Sequence, residues 1–270
     1  MTLRSPCFYS GFDVLSGLCL YNSCMIKKRA LGFVLLFFVL VGLRSPLHAE
    51  AVRSDSLKLI TPGEGSIVTS PIKISAQVQA QPQDLIRVKL VDRSGSVISR
   101  QLFLVNSSGD GILNFTTSLA FEIPRETTDG LLMIAVQDSN NRLVALRSAA
   151  LKLQSNGENL INLQSSSSDW LTITKPQPGE KLQGGVIDVE GTVIPIIDRP
   201  VFFELITDSG GQIGWKQLAV ENTGDPIEFN MSVPYAYITQ ERDVRLVIRQ
   251  RDTFYGENII LDSVPIYLLP

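Results

Sequence analysis

The sequence predicts an all-β protein: two tandem antiparallel β-sandwiches following an N-terminal signal peptide. Three observations carry that expectation. The chain matches itself at a near-constant offset, its apolar residues alternate with polar ones over short runs, and its first fifth differs in composition from the rest. With 270 residues, 44% hydrophobic and 19% charged, it has apolar material for one large core or two ordinary ones.

The first element is the leader. In "MIKKRALGFVLLFFVLVGLRSPLHAEA", which begins at Met25, Lys27, Lys28 and Arg29 form a basic start. Residues 31–43 are an unbroken apolar and glycine run, short for a bilayer span. Ala49-Glu50-Ala51 then supplies a small-x-small cleavage pattern. Residues 25–51 therefore read as a secretory signal peptide, and the protein is expected to be secreted or extracytoplasmic and associated with the cell envelope. If the segment stays uncleaved it is the one route to a membrane. Residues 1–24 fit no part of this pattern and read as an extended gene start ahead of Met25, a long n-region being the alternative.

Cleavage after Ala51 removes Cys7, Cys19, Cys24 and His48, so the mature chain has neither cysteine nor histidine. It also removes five of 24 Lys+Arg and two of 27 Asp+Glu, and the mature net charge becomes 19 − 25 = −6. An acidic chain of this kind argues against a nucleic-acid partner, whose phosphates call for a basic surface.

The repeat comes next. An offset of 114 or 115 residues lays Pro62 on Pro176, Val78 on Val193, Leu90 on Leu205, Gly95 on Gly210, Phe115 on Phe229 and Asp138 on Asp252. So long a period suits two tandem domains, 56–154 and 170–270. In the first, strands are expected at 57–60, 72–78, 86–91, 97–105, 112–121, 131–137 and 143–153. In the second they are expected at 171–174, 186–193, 201–207, 213–220, 227–235, 244–250 and 259–268. Leu132, Ile134, Val136 and Val244, Leu246, Ile248 show the period of two that marks a half-buried strand. Turn residues such as Asp92-Arg93-Ser94-Gly95 separate the runs. The polar, serine-rich stretch 155–169 reads as a linker. It is either a flexible coil or partly docked through Leu160, Ile161 and Leu163.

Seven short strands in about 100 residues point to an immunoglobulin-like sandwich. The motifs agree. The copies open with "ITPGEGSIVTSPIKISAQV" and "ITKPQPGEKLQGGVIDVEGTV", and the first continues with V-x-L-x-D-x-x-G-x-V. In these features the chain resembles bacterial immunoglobulin-like modules, in particular the immunoglobulin-like domain of bacterial spore germination proteins. The resemblance covers about 57–153 and 170–268. It implies an envelope-associated accessory or adhesive module with no catalytic residues to carry over. The second copy departs from the pattern in having Gly184-Gly185 where the first has Ser70-Pro71.

Without histidine or cysteine the mature chain cannot assemble a Ser-His-Asp or Cys-His nucleophile or an ordinary zinc site. Asp188, Glu190, Glu204 and Glu228 are expected on solvated strand faces rather than in a hydrolytic pair. No cofactor is expected. The loops "SSGDG" (107–111) and "DSNN" (138–141) have oxygens suited to structural calcium, but they also suit ordinary tight turns. For ligand contact the candidate residues are Trp215, Phe254 and Tyr255, which could stack on a sugar or a protein partner, and Arg245 and Arg249, which could meet an anionic polymer. The competing readings are tryptophans, Trp170 included, that cap the core or the domain junction, and arginines paired with acids across the sheet. The expected function is a non-enzymatic binding or structural module of the cell envelope, its partner an envelope protein or glycan. The alternative is a carbohydrate-binding accessory protein.

Overall fold

The computed structural model describes residues 52–53, 56–106, 112–164 and 170–270. The expected signal peptide, the segment before it, the loop 107–111 and residues 165–169 of the linker lie outside the described residues. The described residues are all-β, and sixteen of their seventeen strands repeat one plan of eight twice.

In the first repeat, β2 (Leu57–Thr61), β4 (Ile72–Gln79) and β7 (Ile112–Leu119) form one sheet. It faces a second sheet of β6 (Val97–Leu104), β5 (Leu85–Asp92), β8 (Thr127–Gln137) and β9 (Leu143–Gln154). The short β3 (Ile67–Val68) runs parallel to β9. In the second repeat, β10 (Leu171–Lys175), β12 (Val186–Val193) and β15 (Ile227–Pro234) face β14 (Gln212–Leu218), β13 (Val201–Thr207), β16 (Arg242–Arg251) and β17 (Asn258–Leu268). Here β11 (Lys181–Leu182) lies parallel to β17. Two facing antiparallel sheets in this strand order make an immunoglobulin-like sandwich.

Alternation builds each core. In β4, Ile72, Ile74, Ala76 and Val78 all point inward and are buried, and Lys73 and Gln79 face solvent. Full burial of a side chain such as Ile74 or Phe203 contributes about 1.5–3 kcal/mol. Each core also holds an edge-on aromatic pair built on the repeated phenylalanine, with partners at different repeat positions. Phe115 meets Phe103 edge-on at 5.0 Å, and its counterpart Phe229 meets Phe203 edge-on at 5.1 Å.

The short strands β3 and β11 have no period for a sequence reading to detect, and neither does β1 (Val52–Arg53). The last pairs with β10 of the second repeat although it leads into the first. The linker behaves in a matching way. It leads into the second repeat but docks on the first. Gln164 N–H donates to Ile60 O at 3.0 Å, Gly63 N–H to Asn162 O at 2.7 Å, and Ile67 and Leu160 exchange bonds of 2.8 and 2.9 Å. The Asn159, Asn162 and Gln164 side chains add bonds to Thr69 and to the Glu64 main chain, whereas Leu160, Ile161 and Leu163 stay exposed at 60, 46 and 74%. Gly63 is required for this approach, since a Cβ there would lie 2.4 Å from the Leu163 carbonyl carbon.

The sandwiches also share a sheet. β17 pairs with β9 antiparallel, joining the two four-stranded sheets edge to edge in the order β14-β13-β16-β17-β9-β8-β5-β6. Each repeat thereby uses the other to cover a strand edge that would otherwise be open to stray pairing.

Candidate functional site

The junction between the repeats holds the densest buried polar chemistry among the described residues. Three residue pairs form its ladder: Ala145 with Asp262, Leu146 with Leu261, and Arg147 with Ile260. The 115-residue offset carries Leu146 onto Leu261, so a local pseudo-twofold axis passes between them. Serines extend the ladder symmetrically where the strands diverge. Ser148 Oγ donates to Ile259 O at 2.8 Å, and its counterpart Ser263 Oγ donates to Val144 O at 2.9 Å. Leu146 and Leu261 pack with Ala135 and Val247 in a small buried cluster that spans the seam.

Charge breaks the symmetry. Arg147 and Asp262 occupy the same repeat position, and they form a buried ion pair of 2.8 Å with side-chain exposures of 5 and 7%. The same guanidinium donates to the carbonyls of Leu146 and Leu261. Asp262 also accepts from Ser56 Oγ at 3.0 Å and from the indole N–H of Trp170, itself buried. Ser56 and Trp170 again share a repeat position.

A second charged cluster lies at one end of the seam. The Asp138 carboxylate accepts from the main-chain N–H groups of Asn140 and Arg142, from Arg142 Nε at 2.8 Å and from Arg245 Nε at 2.9 Å. Arg142 reaches across the junction to Asp243 in a bidentate pair of 3.1 and 3.2 Å. Burial pushes Asp138 upward, but the bonds from Arg245 and Arg142 outweigh it and hold the carboxyl below the ordinary aspartate value. Asp84 lies beside this cluster. Burial first, then the charge of Asp138, raises it above the ordinary value despite the bond from Gln81 N–H and the field of Arg245. Both line a cleft of about 680 Å³ between the repeats. The "DSNN" turn thus directs its carboxylate to arginines and amides. Among the described residues, no group of three or more His, Cys, Asp or Glu is placed to hold a metal.

The sequence candidates fall in separate places. Arg245 is held by Asp138 and by Ser263 Oγ at 3.1 Å. Arg249 binds Glu204 at 2.7 and 2.9 Å and Asn258 at 2.9 Å, and it lies over the Phe202 ring at 5.0 Å. Phe254 and Tyr255 sit at the tip of the β16–β17 hairpin, which rests on the first repeat. Arg93 lies over Phe254 at 4.1 Å, and Lys89 pairs with Glu257 at 2.7 Å. Tyr255 is buried, and burial pushes its phenol above the ordinary value. Trp215 stands apart on the edge strand β14, 55% exposed. Tyr237, 85% exposed, follows the segment bonded to that edge through Ala236 N–H to Ile213 O.

No protein-family model matches the chain, and no curated protein matches it. Solved structures do align with it. They include the fibronectin(III)-like modules of Clostridium thermocellum CbhA, with 13% identity, 79% of this chain and 94% of that one covered, and a TM-score of 0.23. A Salmonella enterica SafA pilin in complex with the SafB chaperone gives 11% identity, 82 and 99% coverage and a TM-score of 0.26. The calcium-binding domain CBD12 of CALX1.1 gives 10% identity, 72 and 79% coverage and a TM-score of 0.24. Overlaps this loose carry no functional argument, and the immunoglobulin-like fold rests on the strand order described above.

The seam residues have a faint signal in the sequence. Arg147 and Asp262 are opposite charges at one repeat position inside otherwise apolar strands, a pattern that suits a buried pair better than two solvated faces.

Proposed function

We propose that the chain is a non-enzymatic binding or structural module of the cell envelope whose two sandwiches act as one rigid unit without a cofactor. The observation that carries this reading is the in-register β9–β17 ladder with its buried Arg147–Asp262 pair. Separate beads on a flexible linker need no such seam, whereas a platform of fixed spacing does. The leader-like segment 25–51 supports export, and among the described residues no helix is long and apolar enough to cross a membrane. The partner would be an envelope protein or glycan. Nitrogen-15 relaxation on the mature chain tests the rigid unit. One correlation time shared by both repeats is expected, and two different ones would refute it. Fractionation of cells expressing the full gene tests the location, with the mature protein expected outside the cytoplasm and beginning after Ala51.

A second reading, carbohydrate binding, is favoured by the exposure of Trp215 and Tyr237 on adjoining segments of one sandwich edge. Aromatic faces of this kind can stack on sugar rings. A glycan array should then give signals that Trp215→Ala and Tyr237→Ala remove, and an array with no signal rejects this reading.

A further inference from the structure

The pseudo-twofold axis of the seam relates two clefts, one at each end of the β9–β17 ladder. The larger holds the Asp138 cluster. The smaller has a volume of about 380 Å³, inside the span of about 300–1,000 Å³ usual for small-molecule sites. The repeat offset carries Leu57, Leu59, Ser148 and Asp252 of the smaller cleft onto Leu171, Ile173, Ser263 and Asp138 of the larger.

The two aspartates are held alike but neutralised differently. Asp138 accepts from Asn140 N–H at 3.0 Å, and Asp252 from Phe254 N–H at 2.6 Å. Asp138 also binds the guanidinium groups of Arg142 and Arg245. In the other copy those two positions are Glu257 and Leu131. Glu257 pairs with Lys89 instead, and Asp252 has no ion pair among the described residues. A second carboxylate lines the same cleft, Glu64, where the other copy has Pro178. It accepts from Ala150 N–H at 2.8 Å, but burial outweighs that bond and raises the carboxyl above its ordinary value. Tyr255 forms part of the wall, 9% exposed, and its hydroxyl makes no hydrogen bond among the described residues. After burial, the charges of Asp129, Glu64 and Asp252 raise this phenol against the field of Arg93, so both cleft carboxylates act on it. Leu131, Ile196, Ile197 and Ile259 add apolar surface. Of the cations at the cleft, Arg147 is committed to Asp262, and Lys58 pairs with neither acid.

We infer that this cleft binds an alkylguanidinium group, its head at Asp252 and Glu64 and its stem on the isoleucines. The chain itself shows the preference, because the same aspartate position in the other copy takes two guanidinium groups. A guanidinium presents a planar fork of donors to carboxylates, and its face suits the ring of Tyr255. An ammonium has no such fork. The group can belong to a free small molecule or to an arginine of a partner protein, and the recognition chemistry is the same. The inference adds a ligand to the module reading and is independent of export and of common tumbling.

The test is NMR on the full mature chain titrated separately with butylguanidinium, butylammonium and the neutral butylurea. Saturable amide shifts around Leu131, Ile196, Tyr255 and Ile259 are expected with butylguanidinium, a several-fold weaker response with butylammonium, and none with butylurea. N-acetyl-argininamide separates the sources: tighter binding than butylguanidinium assigns the group to a protein side chain, and weaker binding to a free molecule. Asp252→Asn and Glu64→Gln keep an acceptor for the main-chain N–H groups of Phe254 and Ala150, and each should weaken binding about tenfold or more. Lys58→Ala should strengthen it, and Glu228→Gln, which removes an exposed acid on β15, should leave it unchanged. Should the cleft variants not fold, the carbon-13 titration of the Glu64 carboxyl in the unaltered chain decides the matter, with its midpoint expected to fall when butylguanidinium is added. No saturable shift, an equal response to butylammonium or butylurea, undiminished binding in folded Asp252→Asn, or a Glu64 midpoint that stays in place would each overturn the proposal.

Discussion

Arg147 and Asp262 occupy the same position in the two repeats, carry opposite charges and meet 2.8 Å apart at the axis that relates them. Two identical repeats docked in this way would bring like charges together. The pair therefore favours joining a first repeat to a second repeat over joining either to its own kind.

Removing one member should expose the cost of the other. Asp262→Ala takes from the buried Arg147 guanidinium the carboxylate 2.8 Å away, and from the Trp170 indole N–H its acceptor. It should lower stability by about 3–5 kcal/mol. The double exchange Arg147→Asp with Asp262→Arg should recover part of that loss. Urea denaturation of the unaltered chain and these two variants checks both statements, and a double exchange no better than Asp262→Ala would contradict them.

Asp84 and Asp138 should give opposite pH signatures. The folded-state value of Asp138 is depressed, so its contribution is present above the unfolded value and is lost as pH falls through the folded one. The folded-state value of Asp84 is raised, so its ionised form opposes folding at neutral pH, and protonation relieves this as pH falls through the folded value toward the unfolded one. Asp84→Asn should accordingly stabilise the protein at neutral pH, with the gain fading toward the ordinary aspartate value of about 3.9. Asp138→Asn should destabilise it at neutral pH. Denaturation midpoints measured across that range decide both.

The two tryptophans should separate spectroscopically. Trp170 is 2% exposed and Trp215 is 55% exposed. Iodide should quench the unaltered chain in part, and Trp215→Phe should emit further to the blue and resist the quencher. A quenchable residue in folded Trp215→Phe would place Trp170 in solvent and contradict the seam geometry.

Gly63→Ala should release the linker. Its new methyl has no room beside Leu163, so the bonds from Gly63 to Asn162 and from Gln164 to Ile60 should be lost. Faster amide exchange at position 63 and at Gln164, and earlier proteolytic cleavage within 159–164, are the expected readouts. The same change at Gly65, whose nearest neighbour is the Asn162 amide at 3.6 Å, strains the backbone (φ +73°) without that collision and should leave the linker docked.

The strands of each sandwich were legible because one face is buried and the other wet, which imposes a period of two on runs such as Leu132, Ile134 and Val136. The seam was not legible in the same way. β9 and β17 are covered on their faces and also along an edge, so Ser148 and Ser263 resemble ordinary polar strand residues although each bonds the opposite repeat. Phe254 and Tyr255 fall between the strands expected at 244–250 and 259–268, but local pattern could not show that the tip they form rests on a turn more than 150 residues earlier, near Gly95. For Arg245 and Arg249 the sequence leaves ligand contact and pairing with acids across the sheet both open; the fold pairs Arg249 with Glu204 on the neighbouring strand and Arg245 with Asp138 of the other repeat.

The crossed lead-in segments bear on how the molecule carries tension. Val52 and Arg53 pair with Ile173 and Thr172 before the chain enters the first repeat at β2. The linker in turn grips the first repeat before it enters the second. A pull applied at Val52 thus loads β10 as well as β2, and the two repeats share the strain from the outset instead of yielding one after the other. Single-molecule stretching from that end should show one rupture for the pair, and Arg147→Asp should split it into two smaller ones.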